Sequence, residues 1–175
     1  MLQAVPGSVL WLLEMNPWVA RNLRREASAR GVDPSRLVFA PVLPLAEHLG
    51  RLSAADLFLD TLPVNAHTTA SDALWAGLPL LTCTGETFAS RVAESLLTAV
   101  GVPELVTRTL AEYEALGLRL ARAPGELAEL RRRLSRNRDT APLFDTPRFV
   151  RHLESAYETM WRIHQAGGAP RLIEI

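Results

Sequence analysis

Apolar positions along this chain follow two rhythms. Short unbroken runs, Ser8-Val-Leu-Trp-Leu-Leu13, Leu37-Val-Phe-Ala40, Leu57-Phe-Leu59 and Leu78-Pro-Leu-Leu-Thr82, alternate with longer stretches in which apolar residues recur at helical spacing. Unbroken runs predict parallel strands covered on both faces, and their alternation with helical patterns predicts βα units rather than a bundle or a sandwich. A fifth, shorter strand is expected at Glu104-Leu-Val-Thr107.

The helical stretches carry their own punctuation. Asn16-Pro17 supplies an N-cap and a proline at the first helical position, and Val19, Leu23 and Ala27 then share a face until Gly31. Further helices are expected over Leu45 to Leu52, Thr68 to Gly77, and Phe88 to Val100, the last with Val92, Leu96 and Val100 on one face. Thr109-Leu-Ala-Glu112 reads as a capping box ahead of Leu116 and Leu120, and Leu127, Leu130 and Leu134 mark the helix after it. Thr146-Pro147 opens a final helix whose stripe is Phe149, Leu153, Tyr157, Met160 and His164, ended by Gly167-Gly168. The expected organisation is a Rossmann-like lobe with a helical end over residues 1–145 and a closing helix with its tail over 146–175.

Composition narrows the chemistry. At 175 residues and 48% apolar, the chain has enough apolar residues to build the core of one α/β domain. Nineteen acidic residues balance nineteen basic ones, which gives no field to draw nucleic acid or anionic lipid. Every basic residue is arginine, so a Schiff-base lysine, a P-loop lysine and a lysine general base are all excluded. The single cysteine, Cys83, forms no internal disulfide and suits a reducing compartment; no apolar run is long enough to span a bilayer. A cytoplasmic protein is expected.

The stretch with chemistry in it runs from Leu57 to Thr82. A strand ends at Asp60, a turn-rich loop covers Thr61 to Ala66, and His67-Thr68-Thr69 opens a helix. The first N–H groups of a helix have no partner within it and favour an anion, and two hydroxyls and an imidazole add donors at the same spot. In a chain without lysine, a diphosphate held by such donors needs no metal. The residues equally allow a helix merely capped by Thr68 or Thr69, with His67 bonded to a loop carbonyl. Asp72, one turn further along nearly the same face, is placed either to accept from ribose hydroxyls or to sit in the field of the helix start. His48 and Arg51, three apart on the short helix after the second strand, are either a platform for a nucleobase or a solvated face. Cys83 sits at the end of a buried strand without a nucleophile elbow, and reads as a packed small residue.

Ser8 to Leu13, Arg36-Leu-Val-Phe-Ala-Pro41, Ala55-Asp-Leu-Phe-Leu-Asp-Thr61, Asn65-Ala-His-Thr-Thr-Ala-Ser-Asp-Ala-Leu-Trp-Ala-Gly77 and Gly85-Glu-Thr-Phe-Ala-Ser-Arg-Val92 resemble, in order and spacing, the C-terminal catalytic lobe of the bacterial and SPINDLY-like protein O-GlcNAc transferases. The resemblance implies the Rossmann-like parallel sheet of a GT-B glycosyltransferase lobe, with UDP-GlcNAc as donor and protein Ser/Thr hydroxyls as acceptors. It further implies inversion, no metal and no cofactor besides the donor. Carried over position by position, His67, Thr68 and Thr69 hold the diphosphate, Asp72 the ribose, and Leu43 (through its backbone), His48 and Arg51 the uracil. Animal members have a lysine at the position of Leu45 that helps hold the ribose, and that contact is missing here. Members also carry, ahead of the position of Met1, a strand with a diphosphate-binding glutamine and lysine, an acceptor-side lobe that would bear the general base, and a helical repeat array. The expectation is therefore a lobe lacking its first, central strand, inactive alone, whose final helix resembles the GT-B tail that crosses to the other lobe. Asp60, Glu86 and Arg91 also resemble family positions near the crevice, without an assigned role. A UDP- or partner-binding module without catalysis, and another GT-B enzyme such as a UDP-GlcNAc epimerase, remain as alternatives.

Overall fold

The computed structural model describes residues 1–175. In chain order the elements are β1 (Leu10–Leu13), α1 (Pro17–Ala29), β2 (Leu37–Ala40), α2 (Leu45–Leu52), β3 (Phe58–Leu59), α3 (Thr68–Trp75), β4 (Leu80–Cys83), α4 (Val92–Ala99), β5 (Val106–Thr107), α5 (Leu110–Arg122), α6 (Pro124–Asn137) and α7 (Thr146–Gln165). The βα alternation expected from the apolar runs is present, and every strand pair is parallel.

The caps form where the sequence places them. Asn16 accepts the Val19 N–H at 3.0 Å, and Thr109 and Glu112 close a reciprocal capping box at the start of α5. Several elements are shorter than expected, two of them for a visible reason. The helix anticipated over Phe88 to Val100 divides into a 3-10 turn at Phe88–Ser90 and α4 proper, because the Ser90 side chain turns back to bond Thr87. The fifth strand keeps only Val106–Thr107, since Pro103 opens a 3-10 turn through Leu105.

The strands form two groups. β1 pairs with β2, Leu10 opposite Leu37 through Leu13 opposite Ala40, while β3, β4 and β5 form a separate sheet in that order. β1 therefore has a partner on one edge only, and so does β3. No strand of the first group pairs with a strand of the second. Burial follows this division and corrects the expectation of strands covered on both faces. β4 is buried throughout, whereas Leu10, Trp11 and Leu12 are half-buried and Leu13 and Val38 are exposed.

The main core lies around β4 and β5. Leu74 and Ala70 of α3, Leu80, Ala93 and Leu97 of α4, Leu105, Leu120 of α5 and Leu127, Leu130 and Leu134 of α6 form one buried cluster. A smaller cluster of Leu52, Ala73 and Leu78 fastens α2 to α3. Gly117 lets α5 approach β4 closely: an added Cβ would stand 3.3 Å from Leu81 and 3.6 Å from the Met1 sulfur. The first residues tie the two strand groups together. The Arg36 guanidinium donates to the carbonyls of Leu2, Val5 and Ser8, and Arg122 of α5 donates to that of Ala4. α7 buries none of its residues and exposes Phe149, Leu153, Tyr157, Met160 and Trp161. No helix is long and apolar enough to cross a membrane.

Candidate functional site

The loop between β3 and α3 is organised by a buried carboxylate. Asp60, 5% exposed, accepts the Thr61 N–H at 2.8 Å and the Ala66 N–H at 2.7 Å on one oxygen, and the Thr82 hydroxyl at 2.6 Å on the other. Its carbonyl accepts the Tyr113 hydroxyl at 2.9 Å. Burial first, and then the neighbouring Asp60 and Cys83, push the Tyr113 phenol up to about 12. The loop closes on itself as Thr61 donates to the Val64 carbonyl and Asn65 to that of Thr61, with a cis peptide at Leu62-Pro63. The Asn65 N–H donates to the Ala89 carbonyl at 2.8 Å, which joins this loop to the one after β4.

This scaffold delivers His67, Thr68 and Thr69 to the carboxyl end of the sheet with all three exposed. Neither threonine caps the helix. His67 occupies the N-cap with φ −106° and ψ −88°, and no side chain caps α3. Its carbonyl accepts the Ser71 N–H, so the N–H groups of Thr68, Thr69 and Ala70 open the helix without a capping side chain. The His67 ring lies 3.5 Å from the Ala89 carbonyl, at the outer limit of a hydrogen bond. Asp72 is half-buried one turn along.

The second group, Leu43, His48 and Arg51, follows β2. Leu43 and His48 are half-buried, and α2 packs against α3 through Leu52 and Ala73, so this group and the start of α3 belong to neighbouring helices. Arg51 is already engaged: it donates to the Pro41 carbonyl at 2.6 Å and to His48 Nδ1 at 3.2 Å, and stacks over Trp11 at 5.5 Å. Its guanidinium thus braces the loop that presents Leu43, a role that spacing alone did not disclose. Glu47 is exposed, whereas His48 and Arg51 are half-buried.

The loop after β4 completes the edge. Thr84 donates to the Glu94 carboxylate at 2.5 Å, and that bond, with help from the Arg108 guanidinium, holds the Glu94 carboxyl below its ordinary value. Glu86 is exposed, and Arg91 serves through its backbone as N-cap of α4. Phe88 meets His67 edge to face, with ring centres 5.9 Å apart. Cys83 is buried at the end of β4, as a packed small residue would be. A cavity of about 200 Å³ lined by Glu104, Arg119, Glu126, Glu129 and Arg133 lies away from this edge, between α5 and α6.

Sequence reasoning put Asp60 near the crevice without a role, and it did not single out its partners Thr82 and Tyr113. A threonine in an otherwise apolar buried strand was the available signal, since a buried hydroxyl needs a partner.

Residues 1–153 match the profile described as Glycosyl transferase family 41. The chain belongs to that family. Among curated relatives, it is 40% identical over 175 residues to a probable UDP-N-acetylglucosamine–peptide N-acetylglucosaminyltransferase SEC of Arabidopsis thaliana, covering 99% of this chain and 18% of that protein. It is 40% identical over 166 residues to the UDP-N-acetylglucosamine–peptide N-acetylglucosaminyltransferase of Caenorhabditis elegans, covering 95% of this chain and 14% of that one. A solved O-GlcNAc transferase variant of Thermobaculum terrenum superposes with a TM-score of 0.87 at 38% identity, over 92% of this chain and 32% of that chain. This family 41 chain therefore spans less than a fifth of those curated relatives and about a third of the solved one. The α/β architecture with its parallel strands is that of the C-terminal GT-B lobe of the solved transferase.

Proposed function

We propose that this chain is the donor-binding part of a protein O-GlcNAc transferase, which transfers GlcNAc from UDP-GlcNAc to Ser or Thr hydroxyls with inversion and without a metal. The observation that carries the reading is the start of α3. Three successive N–H groups without a side-chain cap, two exposed threonine hydroxyls and an imidazole converge at the carboxyl edge of the sheet. Each is a donor, and together they suit the two phosphates of a nucleotide sugar. As the glycosidic bond breaks, negative charge grows on the diphosphate, and donors fixed in place by the Asp60 scaffold stabilise that charge without reorganising. This is why His67, Thr68 and Thr69 are assigned to the diphosphate and why no metal is invoked.

Asp72 is assigned to the ribose hydroxyls. Leu43, through its backbone, and His48 are assigned to the uracil, with Arg51 as their brace as much as a contact. Catalysis is assigned to an assembly that includes an acceptor-side lobe and general base, since the relatives named as transferases are several times longer than this chain. The 175 residues alone are proposed to bind the donor and to turn nothing over. A single buried cysteine fits a cytoplasmic setting.

Titration calorimetry with UDP tests the reading directly. The chain is expected to bind UDP, to bind it equally after EDTA treatment, and to lose at least about tenfold in affinity when His67 is replaced by Ala. No heat at millimolar UDP would sink the assignment, and an EDTA-sensitive signal would sink its metal-free form.

A further inference from the structure

Phe88 is an apolar ring held in water by a rigid loop. It is 81% exposed, yet the turn that carries it is closed by several hydrogen bonds. Ser90, buried, accepts the Thr87 N–H at 3.0 Å and donates to the Thr87 carbonyl at 3.0 Å. The Gly85 N–H donates to the Ser90 carbonyl at 2.9 Å, and a Cβ at Gly85 would fall 2.6 Å from the Ser90 hydroxyl. The Ala89 carbonyl, next to Phe88, accepts the Asn65 N–H, which locks this turn to the loop that launches α3. The exposure of Phe88 is thus imposed by its surroundings rather than left by a slack loop. What singles this ring out is its place, at the carboxyl end of the strands where open α/β sheets bind their ligands.

The geometry points to a sugar platform: we propose that the Phe88 ring packs against the apolar C–H face of the donor's hexose. This rests on the assignment of α3's start to the diphosphate. The sugar is bonded to the distal phosphate, so it lies beside the group that binds that phosphate, and Phe88 touches that group. The two rings meet edge to face, at a centre-to-centre distance of 5.9 Å and an interplanar angle of 88°. Direction agrees with distance. α2, which bears His48, packs on α3 from the β2 side, whereas Phe88 reaches the start of α3 from the β4 side. A nucleotide with its base toward α2 and its phosphates at His67 points its sugar toward Phe88. A hexose offers C–H groups on one ring face, and covering them with an aromatic ring removes apolar surface of both from water.

The test compares two ligands on three proteins. Calorimetric affinities for UDP and UDP-GlcNAc are measured on the 175-residue chain, on Phe88→Ala and on Phe88→Tyr. Phe88→Ala is expected to lose about tenfold in affinity for UDP-GlcNAc while UDP affinity stays within about twofold, and Phe88→Tyr to restore the loss. The retained UDP affinity shows in the same experiment that the variant is folded. Equal losses for both ligands, or no loss for either, overturn the sugar platform while leaving the diphosphate site intact; the second result is the one expected of a ring that meets an acceptor peptide instead. Failure of the unaltered chain to bind UDP removes the diphosphate assignment and this inference with it.

Discussion

Asp60 shows how one side chain sets the geometry of a loop it does not belong to functionally. Its carboxylate satisfies two partly buried N–H groups of the β3–α3 loop and a buried hydroxyl of β4, so deleting it leaves one buried and two partly buried donors without that partner. Asp60→Ala is expected to lower stability by about 2 kcal/mol and to weaken UDP binding, since His67 follows directly from the loop it shapes. Urea unfolding and calorimetry on the same preparation check both parts. A stable variant with unchanged UDP affinity would contradict the scaffold role.

Tyr113 carries a pH signature of the same cluster. Its phenol is raised from an ordinary 10.0 to about 12 by burial and by the negative charge of Asp60. A folded-state value above the unfolded one means that folding favours the protonated phenol. That contribution is complete below about pH 10 and is lost as pH rises toward about 12. Over that window the native chain should lose stability faster than Tyr113→Phe, as urea midpoints measured at successive pH values would show. Parallel curves for the two proteins would place the phenol in solvent.

At the scale of elements, the caps make the clearest statement. Thr109 and Glu112 bond reciprocally at the start of α5, and Thr109→Ala is expected to cost about 1 kcal/mol with no change in UDP affinity. Urea unfolding measures the first and calorimetry the second. This cap was legible in the sequence, as were the Asn16-Pro17 start of α1, the bounds of α2 and the buried stripe Leu127, Leu130 and Leu134, because each depends on neighbours within one or two helical turns. The interruption at Arg91 was not legible, since Val92, Leu96 and Val100 continue a helical rhythm that says nothing of Ser90 turning back on Thr87. Nor was the work of Asp60, whose partners Thr82 and Tyr113 lie 22 and 53 positions away. The residues of the candidate site could be named from local motif and family resemblance. The bracing of Leu43's loop by Arg51 depends on a bond across ten positions of the β2–α2 unit, and the pinning of Phe88 beside His67 on contact between loops that follow different strands.

For the whole molecule, burial is uneven in a way that follows the strand order. β4 is enclosed by α3, α4 and α5, whereas β1 and β2 form a ribbon with a partner-free edge, and α7 displays an apolar stripe with nothing against it. The ribbon reaches the larger sheet through helix α2 and through the arginine bonds of Arg36 and Arg122 to the first residues, not through a strand. A pair of strands fastened only by side chains and a helix can come loose without the remainder melting. Deuterium should therefore enter the amides of Leu12 and Phe39 well before those of Leu81 and Thr82, in an opening event that native-state exchange under mild urea would resolve from global unfolding; simultaneous labelling would mean one cooperative unit. The β1–β2 ribbon is thus where this molecule would be expected to breathe.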